Sequence, residues 1–360
     1  MHTNICIHAI KSAHYQVHSE LAPAMRSRKT DLGDAEVIKA ISLYGGLEKY
    51  IEVHKGVFNI DLETSERKIQ KFTEQGIRIT NILADDYPEA LRQLKTPPTI
   101  LYYYGDITQL CLERSIGIVG TRKSSHYGDH SARTLVRSLS GLDACIISGL
   151  AAGIDSAAHG AALDSGLPTV GILGSGLLKF QYSGLQRDLF KRMQADPKSL
   201  IISEFSPDEG ARGWTYAHRN RIIAALSQAT IVIEAPFGSG ALITADYALK
   251  LGRKLYALPA DLGRESFQGS NKLLAESKAQ PIYSLQDAAE LLGFHQEAQR
   301  SKPQTQSNNP ILAAMELEPV SLDHLMNKLQ LSQAKLFTEL TMLEMQGLIS
   351  KQAGGKYSKI

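Results

Sequence analysis

Between residues 106 and 294 the chain alternates short, uninterrupted apolar runs with helix-length segments, and few folds satisfy that pattern. The runs are Ile116–Val119, Cys145–Ser148, Thr169–Leu173, Leu200–Ser203, Ile231–Ala235 and Lys254–Leu258. None alternates apolar with polar residues, as a strand with one wet face would. Continuous runs belong to strands buried on both faces of a parallel sheet. The intervening segments are long enough for helical, right-handed crossovers. The pattern predicts an α/β core with a Rossmann-like, doubly wound, mostly parallel sheet.

The flanks differ in kind. Residues 29–105 read as a small helical module with lead-in strands. Asp34 is a candidate N-cap for a helix over Ala35–Leu43, ended by Gly45-Gly46. Further helices are expected over Leu47–His54 and Ser65–Glu74. A strand follows over Ile77–Ile82, and an edge strand over Thr99–Tyr104, entered through Pro97-Pro98. Residues 1–28 mix His, Lys, Ser and Arg and are expected to form a loosely ordered or disordered extension rather than a signal peptide. Residues 295–309 are polar and non-periodic, the composition of a flexible linker. Residues 310–360 hold helical segments over Ile311–Met315, Leu322–Leu329 and Gln333–Gln346. A hairpin over Gly347–Tyr357, turning at Gly354-Gly355, follows them. That is the outline of a winged helix.

Bulk properties set limits. A chain of 360 residues, 43% apolar, builds two or three ordinary globular domains. Its net charge of +2 neither demands nor excludes a polyanion, so any phosphate site must arise from local clustering. The cysteines, Cys6, Cys111 and Cys145, are scattered and never paired as CxxC. This argues against a disulfide framework or zinc site and for a reducing, cytoplasmic setting. No apolar run approaches membrane-spanning length.

Glycine-rich turns recur where the predicted strands end. The first, in Ile116-Gly-Ile-Val-Gly-Thr-Arg-Lys123, puts Gly120, Thr121, Arg122 and Lys123 at a sheet edge. There, backbone amides, a hydroxyl and a cation can hold a phosphate; a solvated surface loop is the alternative. The second, Ser148–His159, places Asp155 and His159 one helical turn apart; a metal or acid–base role is the alternative, but with no third ligand nearby a structural pair or helix-end role is expected. In Ala217–Leu226 the residues Arg219, Asn220 and Arg221 crowd the start of a helix, where the dipole disfavours cations. A bound phosphate would resolve that conflict. So would a salt-bridge cluster with Glu204 or Glu209. In Glu234–Asp246 the residues Ser239 and Gly240 open another helix that carries Lys250 at its end, with ordinary capping as the alternative. Gly269 and Asn271 begin one more.

Other chemistries lack their residues. Gly171–Gly176 is half a dinucleotide fingerprint, with Lys179 where the last glycine belongs, and no GxxxxGK[ST] occurs. No cofactor is expected, and no Ser-His-Asp order, paired-carboxylate motif or metal-ligand spacing stands out.

These residues carry a resemblance. GIVGTRKSSHYG (117–128), SGLAAGIDSAAHGAAL (148–163), HRNRIIAALS (218–227), SGALITADYALKLGR (239–253) and GSN (269–271) resemble, in order and spacing, the DNA-processing protein A (DprA/Smf) family. The C-terminal region is similar to that family's winged-helix tail, and the N-terminal helices to its SAM-like module. The resemblance implies a non-enzymatic protein that binds single-stranded DNA in a cationic pocket of the Rossmann-like domain. It further implies a homodimer through that domain, loading of the RecA recombinase, and protection of DNA imported in natural transformation. By position it assigns DNA contacts to Gly120, Thr121, Arg122 and Lys123, to Arg219, Asn220 and Arg221, to Ser239 and Gly240, and to Gly269 and Asn271, with Lys250 as a further candidate. The chain departs from the family pattern at Gly238, often Lys or Arg; at Ala241, usually Ser; along Gly174–Tyr182; and at Tyr216-Ala217, where an aromatic–Pro pair is usual.

Two other functions compete. The core also resembles nucleotide-cleaving enzymes of the lysine-decarboxylase-like (LOG) family, but Pro236–Ala245 lacks the second Gly of their PGGxGTxxE and its catalytic Glu. A transcription regulator would read duplex DNA through the winged helix. Its second and third helices offer Lys328 and Lys335 against Asp323, Glu339 and Glu344, a poor surface for a duplex.

Overall fold

A computed structural model describes residues 1–19, 34, 37–38, 46–54, 61–180, 184–285, 288–294, 309–315, 319–345, 348–352 and 355–359. Its centre is a nine-stranded sheet. The strands are β1 (Arg78–Asn81), β2 (Ile100–Tyr104), β3 (Ser115–Val119), β4 (Cys145–Ser148), β5 (Thr169–Ile172), β6 (Ser199–Ser203), β7 (Ala229–Val232), β8 (Lys254–Ala257) and β9 (Gln280–Pro281). They lie in the order β1-β2-β6-β5-β4-β3-β7-β8-β9. Every pairing from β6 across to β9 is parallel. The pairings of β1 with β2 and of β2 with β6 are antiparallel. The order runs backward from β3 to β6 and forward from β7 to β9, so the chain reverses direction between β3 and β7. Ligand crevices of open α/β sheets form at the carboxyl ends of the strands at such a point.

The helices that matter are α1 (His2–Ser19), α2 (Leu47–His54), α3 (Leu62–Glu74), α4 (His126–Ser138), α5 (Ile154–Asp164), α6 (Gly184–Ala195), α7 (Gly213–Ala225), α8 (Gly240–Lys250) and α9 (Gln268–Ala275). Both sheet faces are covered, which is why the strands read as unbroken apolar runs. Ile118, Ile146 and Ile231 pack with Leu135 and Val136 of α4 and Ala157, Ala158 and Ala161 of α5. Their sequence neighbours Val119, Ile147 and Val232 belong to the other face, with Ile222 and Ile223 of α7 and Ala245 and Ala248 of α8. Alternate residues of one strand thus enter two separate cores.

Two expectations for the N-terminal part need correction. The structure does not leave residues 1–19 of the expected extension loose: α1 buries Ile5, Cys6, Ile7 and Ile10 against Tyr50, Phe72 and Tyr102, while residues 20–28 lie outside the described residues. The periodicity is hidden because His8, counted as polar, is itself buried. Its Nδ1 lies 3.1 Å from Ser65 Oγ and its Nε2 lies 3.4 Å from Ser206 Oγ. Nor is Ile100–Tyr104 an edge strand, since it lies between β1 and β6. Most of the helix expected over Ala35–Leu43 lies outside the described residues, but Asp34 is buried and accepts a hydrogen bond from Thr99 N at 2.9 Å.

The contact between α1 and the core carries a titration. Burial pushes the Glu209 carboxyl up to about 7, against the pull of Lys11. A native pKa above the unfolded value means that this group's contribution is fully present in acid and fades as pH rises toward 7. His8 acts in the opposite sense: burial lowers it to about 4, so it favours the native state increasingly from pH 4 to 6.5. E209Q is therefore expected to raise the melting temperature more at pH 8 than at pH 5, as read by scanning fluorimetry across pH.

The C-terminal region folds as outlined, with α10 (Pro310–Ala314), α11 (Leu322–Leu329) and α12 (Gln333–Met345). A small sheet joins β10 (Val320–Ser321), β11 (Ile349–Lys351) and β12 (Lys356–Lys359) in the order β10-β12-β11. Leu325, Leu336, Leu340 and Ile349 form its core. The expected linker, apart from Asn309, and the hairpin residue Gly354 lie outside the described residues.

Candidate functional site

At the reversal between β3 and β7 the carboxyl edge opens into a cleft of about 490 Å³. One wall is the loop after β3, from Gly120 to Lys123; the other runs from Pro236 to Ala241, after β7. A single stripe of α7, comprising Gly213, Tyr216, Ala217, Asn220 and Ile223, forms the back, and Arg219 and Asp155 lie at the floor. Positions three and four apart share a helix face, so this stripe follows from the helical repeat.

The β3 loop is held close to its neighbours. Thr121 N donates to Glu234 O at 2.7 Å, and Ile154 N donates to Thr121 O at 3.3 Å. A Cβ on Gly120 would come within 2.7 Å of Ile154 Cβ, so only glycine permits this approach. Arg122 and Lys123 are left exposed at the mouth. The Arg122 guanidinium lies 4.6 Å from the centre of the Tyr216 ring. Among the described residues no carboxylate pairs with it.

The opposite wall is a helix start. Ser239 caps α8, its hydroxyl accepting from Ala241 N at 3.3 Å. Asn220 Nδ2 donates to Gly240 O at 2.9 Å and so ties α7 to α8. Phe237 stands 59% exposed on this wall, with Lys272 Nζ 5.6 Å from its ring.

The floor is internally satisfied. Arg219 is 5% exposed and donates to Gly149 O, Ile172 O and the Asn220 side chain. Its guanidinium lies 3.8 Å from Asp155, whose carboxyl accepts from Gly149 N at 3.2 Å and Ala151 N at 3.4 Å. Burial raises the Asp155 carboxyl, opposed by Arg219, and burial likewise lowers the Arg219 guanidinium. His159 is wholly buried and pushed down to about 3, its Nδ1 2.7 Å from Thr169 Oγ1. Asp155 and His159, one turn apart on α5, engage different partners: Asp155 takes Gly149 N, Ala151 N and Arg219, and His159 takes Thr169.

The structure thus brings together Gly120, Thr121, Arg122, Lys123, Arg219, Asn220, Ser239 and Gly240. It separates the others. Arg221 is 2% exposed and bidentate to Glu204, at 2.7 and 2.6 Å. The salt-bridge alternative is the correct one for that arginine. Lys250 is at the far end of α8, about 15 Å along the helix from the cleft. Gly269 and Asn271 buttress from behind. Gly269 N donates to Ala235 O at 2.8 Å, where a Cβ would come within 2.7 Å of that oxygen. The Asn271 amide exchanges hydrogen bonds with Ala260 O and N at 3.0 and 3.2 Å. Sequence reasoning missed Phe237 and Tyr216 as cleft residues. An aromatic isolated in a glycine-rich turn, with no apolar neighbour to bury it, was the available signal for Phe237.

Comparison with known proteins agrees with this architecture. The family model for DNA recombination-mediator protein A matches residues 78–293, and that for the DprA winged helix domain matches residues 295–355. Protein Smf of Synechocystis sp. is 33% identical over 313 residues, covering 76% of this chain and 78% of that protein. DNA processing protein DprA of Streptococcus pneumoniae is 35% identical over 230 residues, covering 64% and 78%. The X-ray structure of the S. pneumoniae protein superposes with a TM-score of 0.61 at 30% identity, over 81% of this chain and 94% of that one. DNA processing protein A from Helicobacter pylori, described for its single-stranded DNA binding mode, gives 0.53 at 30% identity, over 60% and 96%. With most of its length matched by these models and relatives, the chain belongs to the DNA recombination-mediator protein A family, the DprA/Smf proteins.

Proposed function

We propose that the cleft between β3 and β7 binds single-stranded DNA, chiefly through its phosphates and without base-specific readout. The observation that carries this reading is the placement of Arg122. It is an exposed guanidinium at a sheet-edge cleft, facing the amino end of α8 across the opening. A phosphate between them would take charge-assisted hydrogen bonds from Arg122 and lie at the positive end of the α8 dipole. Tyr216 and Phe237 add ring faces on which unpaired bases can stack, a mode open to a single strand and closed to a duplex. The H. pylori relative, described by its single-stranded DNA binding mode, supports the same reading.

The protein acts as a binder rather than a catalyst in this proposal. Among the described residues the one carboxyl in the cleft lining, Asp155, is engaged by Gly149 N and Ala151 N and sits beside Arg219, leaving it poorly suited to proton transfer. Loading of RecA onto the bound strand, homodimerisation through the Rossmann-like domain and protection of DNA during natural transformation follow from family membership as further parts of the proposal. An equilibrium titration with a single-stranded oligonucleotide and its duplex tests the reading. The single strand is expected to bind more tightly, and to do so equally in a variant truncated before residue 309. Preference for the duplex, or loss of single-strand binding on truncation, would move the activity to the winged helix. Release of free base from nucleoside monophosphates would instead favour the nucleotide-cleaving alternative.

A further inference from the structure

One buried side chain joins the two walls of the cleft without lining it. Glu234 follows β7 and is 0% exposed. Its Oε2 accepts two hydrogen bonds from Ser125, from N at 2.9 Å and from Oγ at 3.0 Å. Its backbone oxygen accepts from Thr121 N at 2.7 Å. The one residue therefore grips the β3 loop at Thr121 and again at Ser125, and Arg122 and Lys123 are the cations strung between those grips. The fit is close: a Cβ on Gly128 would run into Oε2 itself. Ser125 passes the restraint on, since its Oγ caps α4 by accepting from Gly128 N at 3.1 Å. On the other side Glu234 leads directly into the Pro236–Gly240 wall. Gly269 N and Ser270 N fix that wall by donating to Ala235 O at 2.8 and 3.1 Å.

Stability alone does not account for this choice of residue. The second oxygen, Oε1, is buried with no hydrogen-bond partner among the described residues. A buried carboxyl with an unsatisfied oxygen detracts from stability. We propose that Glu234 is a positioning residue. It latches the arginine-bearing loop to the β7 wall, so that Arg122 is held at the mouth of the cleft. This rests on the reading of the cleft as the DNA site.

A double-mutant cycle on the full-length chain tests the latch, with a single-stranded oligonucleotide titrated by fluorescence anisotropy. In the wild-type background R122A is expected to weaken binding by roughly ten- to a hundredfold, on the scale of charged hydrogen bonds. In an E234L background, where the loop is released, the same R122A change is expected to weaken binding less than about threefold, because Arg122 is no longer in place. E234Q keeps an oxygen that can accept from Ser125 and is expected to restore the full Arg122 effect. If E234L does not fold, S125A removes one of the latch bonds and serves in the same cycle, with a reduced Arg122 effect expected. Equal Arg122 effects with and without the latch would overturn the proposal even if E234L binds weakly, since a merely structural role gives additive losses. An R122A change that is silent in the wild-type background would instead refute the assignment of the cleft to DNA, and the latch with it.

Discussion

Replacing Arg122 by alanine is expected to lower the affinity for single-stranded DNA by roughly ten- to a hundredfold while leaving the melting temperature nearly unchanged. The magnitude follows from hydrogen bonds to charged groups, about 1.5–3 kcal/mol each. The unchanged stability follows from the exposure of the side chain, whose main contact within the protein is the Tyr216 ring at 4.6 Å. A second signature separates phosphate contact from general damage. Each phosphate neutralised on a single strand contributes about −0.7 to the slope of log affinity against log salt. R122A should therefore flatten the slope by about that amount. An unchanged affinity and slope would remove Arg122 from the site.

Arg221, two residues along the same helix from Arg219, is expected to behave in the opposite way. Its guanidinium is buried with the Glu204 carboxylate and also donates to Thr96 O at 3.2 Å and His218 O at 3.1 Å. Burial alone would raise Glu204, but Arg221 and His218 override that and hold it well below the ordinary carboxylate range. R221A strips the buried Glu204 carboxylate of its bidentate partner, leaving His218 beside it at 3.4 Å, and breaking such a buried pair costs about 3–5 kcal/mol. The melting transition of the core should fall by on the order of 10 °C. The pair has a pH signature as well. A carboxylate with a depressed native pKa contributes its full stability above the unfolded value, and that contribution is lost as pH falls through the native one. Wild-type and R221A proteins should accordingly converge in stability in acid. The salt dependence of DNA binding by whatever R221A protein remains folded should match wild type. A flattened slope would place Arg221 in the site after all.

The contrast between these arginines shows what the sequence could and could not convey. Arg219 and Arg221 stand in one short basic block, and reading that block as one anion site treated them alike. A helix turns about 100° per residue, so two residues apart means about 200° around the axis. The two side chains cannot face the same cleft. One enters the floor of the cleft beside Asp155, and the other turns away from the cleft to Glu204 and Thr96 O. The same geometry disposes of Lys250: it shares a helix with Ser239's cap yet lies at its other end.

What was legible followed from simple periodicities. The parallel sheet announced itself because Ile146 and Ile147, like Ile231 and Val232, feed different cores and so leave no polar position between them. The glycine turns announced the cleft because a backbone that passes within contact of Ile154 tolerates no side chain at Gly120. Helix α1 was illegible because its burial depends on His8 finding Ser65 and Ser206, residues distant in the chain. Glu234 was equally hidden. Its partner Ser125 is 109 positions away, and nothing local distinguishes a latch from an ordinary strand-end carboxyl.

The central claim is that one strand of DNA lies in the cleft between β3 and β7. Photo-crosslinking of a single-stranded oligonucleotide carrying halogenated pyrimidines, with the attachment sites mapped by mass spectrometry, tests this most directly. The predicted result is attachment at Tyr216 and Phe237, suppressed by R122A and by high salt. Attachment confined to residues 309–359, or to the Lys250 end of α8, would contradict it.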